Sequence, residues 1–251
     1  MQTSEPRLSI VIATFNAVST LEKCLASIAC QTFRDLEIII ADGLSTDGTI
    51  AIIEKYSDAI AHWHSHKDNG IYDAWNQAIE KATGEYICFI GADDYFTNEK
   101  SLSIIFGAIG NNTYDLISFQ GTFIQSVTNK KYIIGASWDY ECLIKMPICH
   151  PGLLHHKSLF KKVGTFDTAF QIASDYDFML KLPKETTSLH LIIPLITISD
   201  GGISRNKYHM QMKEKWAIRS KNPRIGKIKA TFHYLNKLWR VPIARVLNIP
   251  Y

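Results

Sequence analysis

Over the first hundred residues, short apolar runs alternate with segments whose apolar positions recur every three or four places. Leu8 to Ala13 is a β-branched run, and Thr20 to Cys30 then carries Leu21, Cys24, Leu25 and Ile28 on one helical face. The same alternation predicts strands over Leu36 to Ala41, Ala59 to Ser65 and Glu85 to Ile90, with helices over Asp47 to Tyr56 and Ile71 to Ala82. Strands that stay apolar along nearly their whole length belong to a parallel sheet covered on both faces, so this stretch reads as a nucleotide-binding α/β unit. After Phe96 the rhythm weakens. A helix over Ser101 to Ile109, strands over Tyr114 to Val127 and Lys131 to Ile134, a helix over Asp175 to Leu182 and a strand over Leu189 to Ile198 are predicted there. No repeat or low-complexity linker interrupts residues 1 to 204, which read as one domain with halves 1–100 and 101–204.

Length and composition bound this picture loosely. A chain of 251 residues, 46% apolar and 20% charged, can bury a sizeable core. Cys24, Cys30, Cys88, Cys142 and Cys149 form no C-x-x-C pair, so neither a disulfide framework nor a zinc knuckle is implied, and a reducing cytosol is expected. Met1 to Arg7 lacks the layout of a signal peptide, and no apolar run approaches the roughly 18 residues of a membrane span. Charge changes the picture more. The net +3 hides twelve Lys or Arg against the single acid Glu214 in residues 205 to 251, which leaves the rest of the chain at −8. An acidic body with a basic tail is not the layout of a nucleic-acid module, and no nucleic-acid partner is expected.

The most pointed chemistry lies in Gly84 to Asp94, a short strand that ends in Asp93-Asp94. Open α/β sheets bind ligands at the carboxyl ends of their strands. A hard cation such as Mg²⁺ or Mn²⁺ needs only one or two carboxylates there beside phosphate oxygens. After the first strand, Thr14 and Asn16 are short polar groups suited to a base or ribose edge, or simply to a turn. Asp42, ending the second strand, reads as an acceptor for a nucleobase N–H, and Ser45, Thr46 and Asp47 read mainly as caps of the next helix. Asp73 and Asn76 share a helical face behind the Lys67 to Gly70 turn. Neither G-x-G-x-x-G nor a P-loop is present, which removes the two commonest nucleotide motifs. His62, His64 and His66 alternate along one strand face and are read as lining a half-exposed surface rather than zinc; of the later histidines only His150 is kept as a site candidate.

Taken together, Thr14-x-Asn16, Asp42-Gly43-x-Ser45-Thr46-Asp47-Gly48-Thr49, Asp68-x-Gly70-Ile71-Tyr72-Asp73-Ala74-x-Asn76 and Gly91-Ala92-Asp93-Asp94 resemble the family 2 glycosyltransferases of the GT-A fold. The resemblance implies an α/β, Rossmann-type, mostly parallel sheet flanked by helices, and an inverting transferase that takes a nucleoside-diphosphate sugar. It makes residues 1–100 the nucleotide-sugar half and 101–204 the acceptor half. It also implies that Thr14, Asn16, Asp42 and Asp68 surround base and ribose, that Gly70, Asp73, Asn76 and Ala92 help to hold the donor, and that Asp93 and Asp94 are the metal candidates. Gly91 stands where the family's D-x-D has its first acid. Ser174-Asp175-Tyr176-Asp177 is similar to the family's E-D pair with Ser in place of Glu, which makes Asp175 the general base. Cys149-His150-Pro151 is similar to a segment near the acceptor, and Asp200-Gly201-Gly202-Ile203-Ser204 to a loop that closes over the diphosphate.

One metal and one base suffice for inversion: the cation stabilises the departing diphosphate, and a single carboxylate takes the proton of the incoming hydroxyl. A uridine donor is favoured because Asp42 can pair a pyrimidine N–H. The tail mixes Trp216, Ile228, Phe232, Leu235, Leu238 and Trp239 with its cations, so it reads as helical and lying on an anionic membrane. The expectation is therefore a metal-dependent hexosyltransferase, peripheral on the inner face of the cell membrane. It would act on a lipid-linked or oligosaccharide acceptor in the synthesis of a surface polysaccharide such as lipopolysaccharide. The rivals are a sugar-nucleotide nucleotidyltransferase, which would need a Gly-rich triphosphate loop near its first strand, and a catalytically silent membrane-associated binding protein.

Overall fold

The computed structural model describes residues 5–140, 144, 146–202 and 207–246, with side chains through Leu238. The amino-terminal part runs β1 (Leu8–Thr14), α1 (Leu21–Ala29), β2 (Leu36–Asp42), α2 (Thr49–Lys55), β3 (His62–Ser65), α3 (Ile71–Ile79) and β4 (Tyr86–Gly91). Each strand apart from β3 is almost wholly buried, as its unbroken apolar sequence requires. Because successive side chains point to opposite faces, each strand feeds two cores. Ile10, Ile12, Ile38, Ile40, Cys88 and Ile90 meet α1 and α2 on one face. Val11, Ile39, Ala41, Ile87 and Phe89 meet Tyr72, Trp75 and Ala78 of α3 on the other.

The second part adds β5 (Tyr95–Phe96), α4 (Ser101–Ile109), β6 (Leu116–Ile124), β7 (Lys131–Ile134), β8 (Leu154–His156), α5 (Ser158–Val163), α6 (Ser174–Lys181) and β9 (Ser188–Ser199). All strands join one sheet in the order β3-β2-β1-β4-β8-β6-β9-β5, with β7 on β6. β1 to β4 pair in parallel, as does β6 with β9, while β8 runs antiparallel between β4 and β6. Strand β3 starts at His62 rather than Ala59, because Ser57–Ala59 form a 3₁₀ turn. The sequence pattern missed β5, β8 and α5, each too short to carry a period of its own.

Two carboxy-terminal helices follow, α7 (Tyr208–Lys221) and α8 (Gly226–Val246). They form a third core with α6, in which Ile218, Ile225 and Ala230 meet Ala173, Tyr176 and Leu180. Two of the tail's cations are spent on the body. Arg219 donates to the Tyr176 hydroxyl at 3.0 Å and the Ile144 carbonyl at 2.6 Å, and Arg224 donates to the carbonyls of Tyr140 at 3.0 Å and Leu180 at 2.8 Å. No helix among the described residues is long and apolar enough to cross a membrane.

Candidate active site

The parallel strands end side by side, with Thr14 opposite Asp42, Asp42 opposite Ser65 and Ala13 opposite Gly91. Asp42 is fully buried and accepts four hydrogen bonds: from the Thr14 hydroxyl at 2.8 Å, the Ser65 hydroxyl at 2.7 Å, the Ser45 hydroxyl at 2.5 Å and the Ser45 N–H at 2.9 Å. Burial alone would raise its pKa, but these donors outweigh burial and hold the carboxyl below the ordinary range. Four donors match the four lone-pair sites of a carboxylate. Asp42 thus organises the strand ends. Ser45 likewise turns to Asp42 instead of capping α2, and Asp47 alone caps, through the Thr49 N–H at 3.0 Å.

Asn16 ties the first loop to the second, since its N–H donates to Ser45 at 2.8 Å and its side-chain oxygen accepts from the Thr46 N–H at 2.9 Å. Asp68 accepts from the Gly70 N–H at 2.9 Å and leans over the end of β2, where a Cβ on Gly43 would stand 2.6 Å from its second oxygen. Asp73 closes the same turn by accepting from the Asn69 backbone at 2.9 Å. Asn76 departs from its expected place beside the donor. Both ends of its amide are engaged by Phe166, at 2.8 Å through the carbonyl and 3.0 Å through the N–H, so it brackets α3 to the segment before α6.

At the end of β4, Asp94 is 4% exposed and accepts from the Gly91 N–H at 3.2 Å and the Ser199 N–H at 3.3 Å. Burial, and then the neighbouring Asp93 charge, push its carboxyl up to about 8. Asp93 is partly exposed; burial raises its pKa too, and among the described residues its carboxylate accepts only from its own N–H. The two acids therefore divide the work, with Asp94 pinning β4 to β9 and Asp93 left open. Gly91 explains the missing first acid: a Cβ there would stand 2.7 Å from Asp93 Oδ1 and 2.8 Å from Asp94 Oδ2. Ala92 is partly buried and packs against the core on the α1 side. No group of three or more His, Cys, Asp or Glu side chains arranged to hold a metal ion forms among the described residues. Two desolvated carboxylates with no cation among the groups acting on them nonetheless suit a divalent ion that brings phosphate oxygens as its remaining ligands.

Asp175 opens α6, and its Oδ1 accepts from the Tyr72 hydroxyl at 3.0 Å and the Tyr176 N–H at 2.8 Å. Its Oδ2 accepts nothing from the described residues. Cys149 and His150 each feel one of the acids. The Cys149 thiol is pushed up to about 12 by burial and then by Asp94, whereas His150 is held low by burial against the pull of Asp175. The His150 ring stacks on Trp75 at 5.6 Å, and its Nε2, like the Trp75 Nε1, is buried without a hydrogen-bond partner among the described residues. Of the closing loop, Gly201 comes close to Asp93, where a Cβ would stand 3.4 Å from Oδ2, and Asp200 accepts from Ser126 at 3.1 Å. Ile203 and Ser204 lie outside the described residues.

Sequence reasoning missed four contributors. Tyr72 was seen only as part of a motif. Ser65 and Ser199 look like ordinary strand residues. Glu214 of α7 accepts from the N–H groups of Gln171, Ile172 and Ala173 at 2.8 to 2.9 Å, and so fixes the turn that presents Asp175. Its signal was its isolation as the one acid among the tail's cations. Lys215 beside it is desolvated, which lowers its pKa, while Asp175 acts to raise it.

A sheet of this order, with polar groups gathered at the carboxyl ends of β1, β2 and β4 and α6 facing them through α3, is the GT-A glycosyltransferase fold. Comparison with known proteins agrees. The glycosyl transferase family 2 model matches residues 9–163. A PGL/p-HBAD biosynthesis glycosyltransferase of Mycobacterium bovis (strain BCG / Pasteur 1173P2) is 33% identical over 181 residues, spanning 70% of this chain and 69% of that protein. The chain belongs to glycosyl transferase family 2. Among solved structures, S. aureus TarS 1-349 in complex with UDP-GlcNAc matches at TM-score 0.71 and 17% identity, over 97% of this chain and 76% of that one. Mannosyltransferase PcManGT from Pyrobaculum calidifontis, in complex with GDP-Man and Mn²⁺, matches at 0.61 and 18%, over 98% and 79%. At such identities the likeness is one of fold.

Proposed function

We propose that this glycosyltransferase moves one sugar, with inversion, from a UDP-sugar to a hydroxyl of a lipid-linked or saccharide acceptor in cell-surface polysaccharide synthesis, at the inner face of the cell membrane. The observation that carries the reading is a pair of carboxylates with acceptor capacity left over among the described residues: Asp93, bonded to its own N–H, and Asp175, whose Oδ1 takes both of its hydrogen bonds. Thr14, Asn16 and Asp68 line the donor's nucleoside end, with Asp42 and Asp73 bracing their loops. Asp93, with Asp94 behind it, would hold a Mg²⁺ or Mn²⁺ ion, which would supply Lewis-acid stabilisation of the diphosphate. Asp175 takes the acceptor's proton on Oδ2, while Tyr72 and the Tyr176 N–H hold Oδ1 and fix the carboxylate plane. His150 and Trp75 offer buried ring nitrogens to sugar hydroxyls.

The choice of uridine draws support from TarS, which was solved with UDP-GlcNAc. The lipid-linked acceptor draws support from the basic tail. Thermal-shift measurements with UDP, GDP and TDP, with and without Mn²⁺, followed by a donor-hydrolysis assay, test the reading. It predicts the largest shift with UDP and metal together and release of UDP from a UDP-sugar. Stabilisation by none of the three nucleotides contradicts it.

A further inference from the structure

The apolar residues of the carboxy-terminal helices divide into two sets that the sequence could not separate. Ile218, Ile225 and Ala230 are buried against α6, and the Trp216 ring nitrogen donates to the Thr231 hydroxyl at 3.1 Å. Ile228, Phe232, Leu235 and Leu238 instead face outward, with exposures of 88%, 73%, 51% and 36%. Their spacing of four, three and three residues sets them along one stripe of α8. At Leu235 the stripe runs into an apolar groove lined by Phe170, Trp216, Ala217 and Tyr234. Phe170 is part of the segment that leads to Asp175.

Charge decides what covers this face. Arg219 and Arg224 are consumed by the body, but Lys213, Lys221, Lys227 and Lys229 are exposed. The region's one acid, Glu214, is spent on three backbone N–H groups. The stripe is thus bordered by cations that no other acid of residues 205–251 offsets. A second copy of the chain would set these lysines against one another, whereas a bilayer carrying anionic headgroups meets both the hydrocarbon and the charge.

We propose that Ile228, Phe232, Leu235 and Leu238 of α8, with Lys227 and Lys229, seat on an anionic lipid bilayer and bring the groove beside Phe170 down to the membrane surface. The purpose of this contact rests on the reading of a lipid-linked acceptor; the contact itself does not. It gives α8 a fixed orientation, with Ala230 toward the protein and Phe232 toward lipid, and it brings the Asp175 side of the cleft close to the membrane.

Flotation of the full chain with vesicles of phosphatidylglycerol and phosphatidylcholine in equal parts, and with phosphatidylcholine alone, tests it. Donor hydrolysis is measured in the same samples. The protein should float with the anionic vesicles only, and Phe232→Gln with Leu235→Gln should weaken binding by about tenfold or more. Lys227→Glu with Lys229→Glu should do the same without touching the apolar stripe. Both variants should keep the hydrolysis rate in solution, which shows that they fold. Loss of hydrolysis in the unaltered protein with flotation intact would count against the transferase reading while upholding the docking. No flotation with either vesicle, equal flotation of the variants, or a dimer that the glutamine pair dissolves would overturn the proposal.

Discussion

The two carboxylates central to the proposed chemistry are held in opposite ways. Asp94, which supports Asp93, bonds to the Gly91 N–H three residues away, and Gly91 itself gives both acids their room. Asp175 is held by Tyr72, 103 residues earlier, and its turn by Glu214, about forty residues later. The donor edge is therefore a local construction at the ends of adjacent parallel strands, whereas the base is a long-range one that needs the carboxy-terminal helices in place. Damage to the tail should accordingly reach catalysis before it reaches donor binding.

That contrast can be broken at either end. The largest effect is expected at the donor edge, where Asp93→Asn removes the open carboxylate. Metal-dependent turnover should fall on the order of 10³-fold, the several kcal/mol that a positioned cation supplies. Retention of metal-dependent turnover would move the ion elsewhere. A smaller loss is expected on the long-range side. Glu214→Ala leaves three N–H groups without an acceptor, costs about 2–4 kcal/mol of stability, and displaces the turn before Asp175. Turnover should fall roughly tenfold to a hundredfold with the UDP dissociation constant unchanged, and Glu214→Gln, which keeps one acceptor oxygen, should recover part of it. A parallel loss of UDP affinity would erase the distinction between the two regions.

The smallest effect belongs to the floor that both regions share. His155 of β8 is buried among Phe89, Phe160 and Phe178, and burial lowers its pKa to about 3. A group depressed in the folded state contributes stability that is fully present above its unfolded pKa of about 6.5 and is lost as pH falls toward 3. His155→Phe should therefore shift the acid-unfolding midpoint to lower pH, with little change at pH 8. An unchanged midpoint would mean that carboxylates alone set the acid limit.

The same contrast explains what could be read from the chain in advance. The strands β1, β2 and β4 announce themselves because each is a continuous apolar run, and the Gly84 to Asp94 segment carries its acids directly off the end of a strand. Strand β8 was hidden because only three residues pair, two of them histidines, and its neighbours β4 and β6 are remote in sequence. The saturation of Asp42 was hidden for a related reason: two of its donors, Thr14 and Ser65, arrive from adjacent strands 28 and 23 residues away. Residue type located the polar end of the sheet, but only the register across strands reveals which side chains there are already spent.

The most direct test of the account is Asp175→Asn, assayed in parallel for sugar transfer and for UDP binding with Mn²⁺. The substitution keeps Oδ1 as an acceptor for Tyr72 and the Tyr176 N–H, yet removes the basic oxygen. The account predicts that transfer falls by at least about a hundredfold with the UDP dissociation constant within twofold of the unaltered protein. Transfer that survives the change, or binding that collapses along with it, would contradict the assignment of Asp175 as the base.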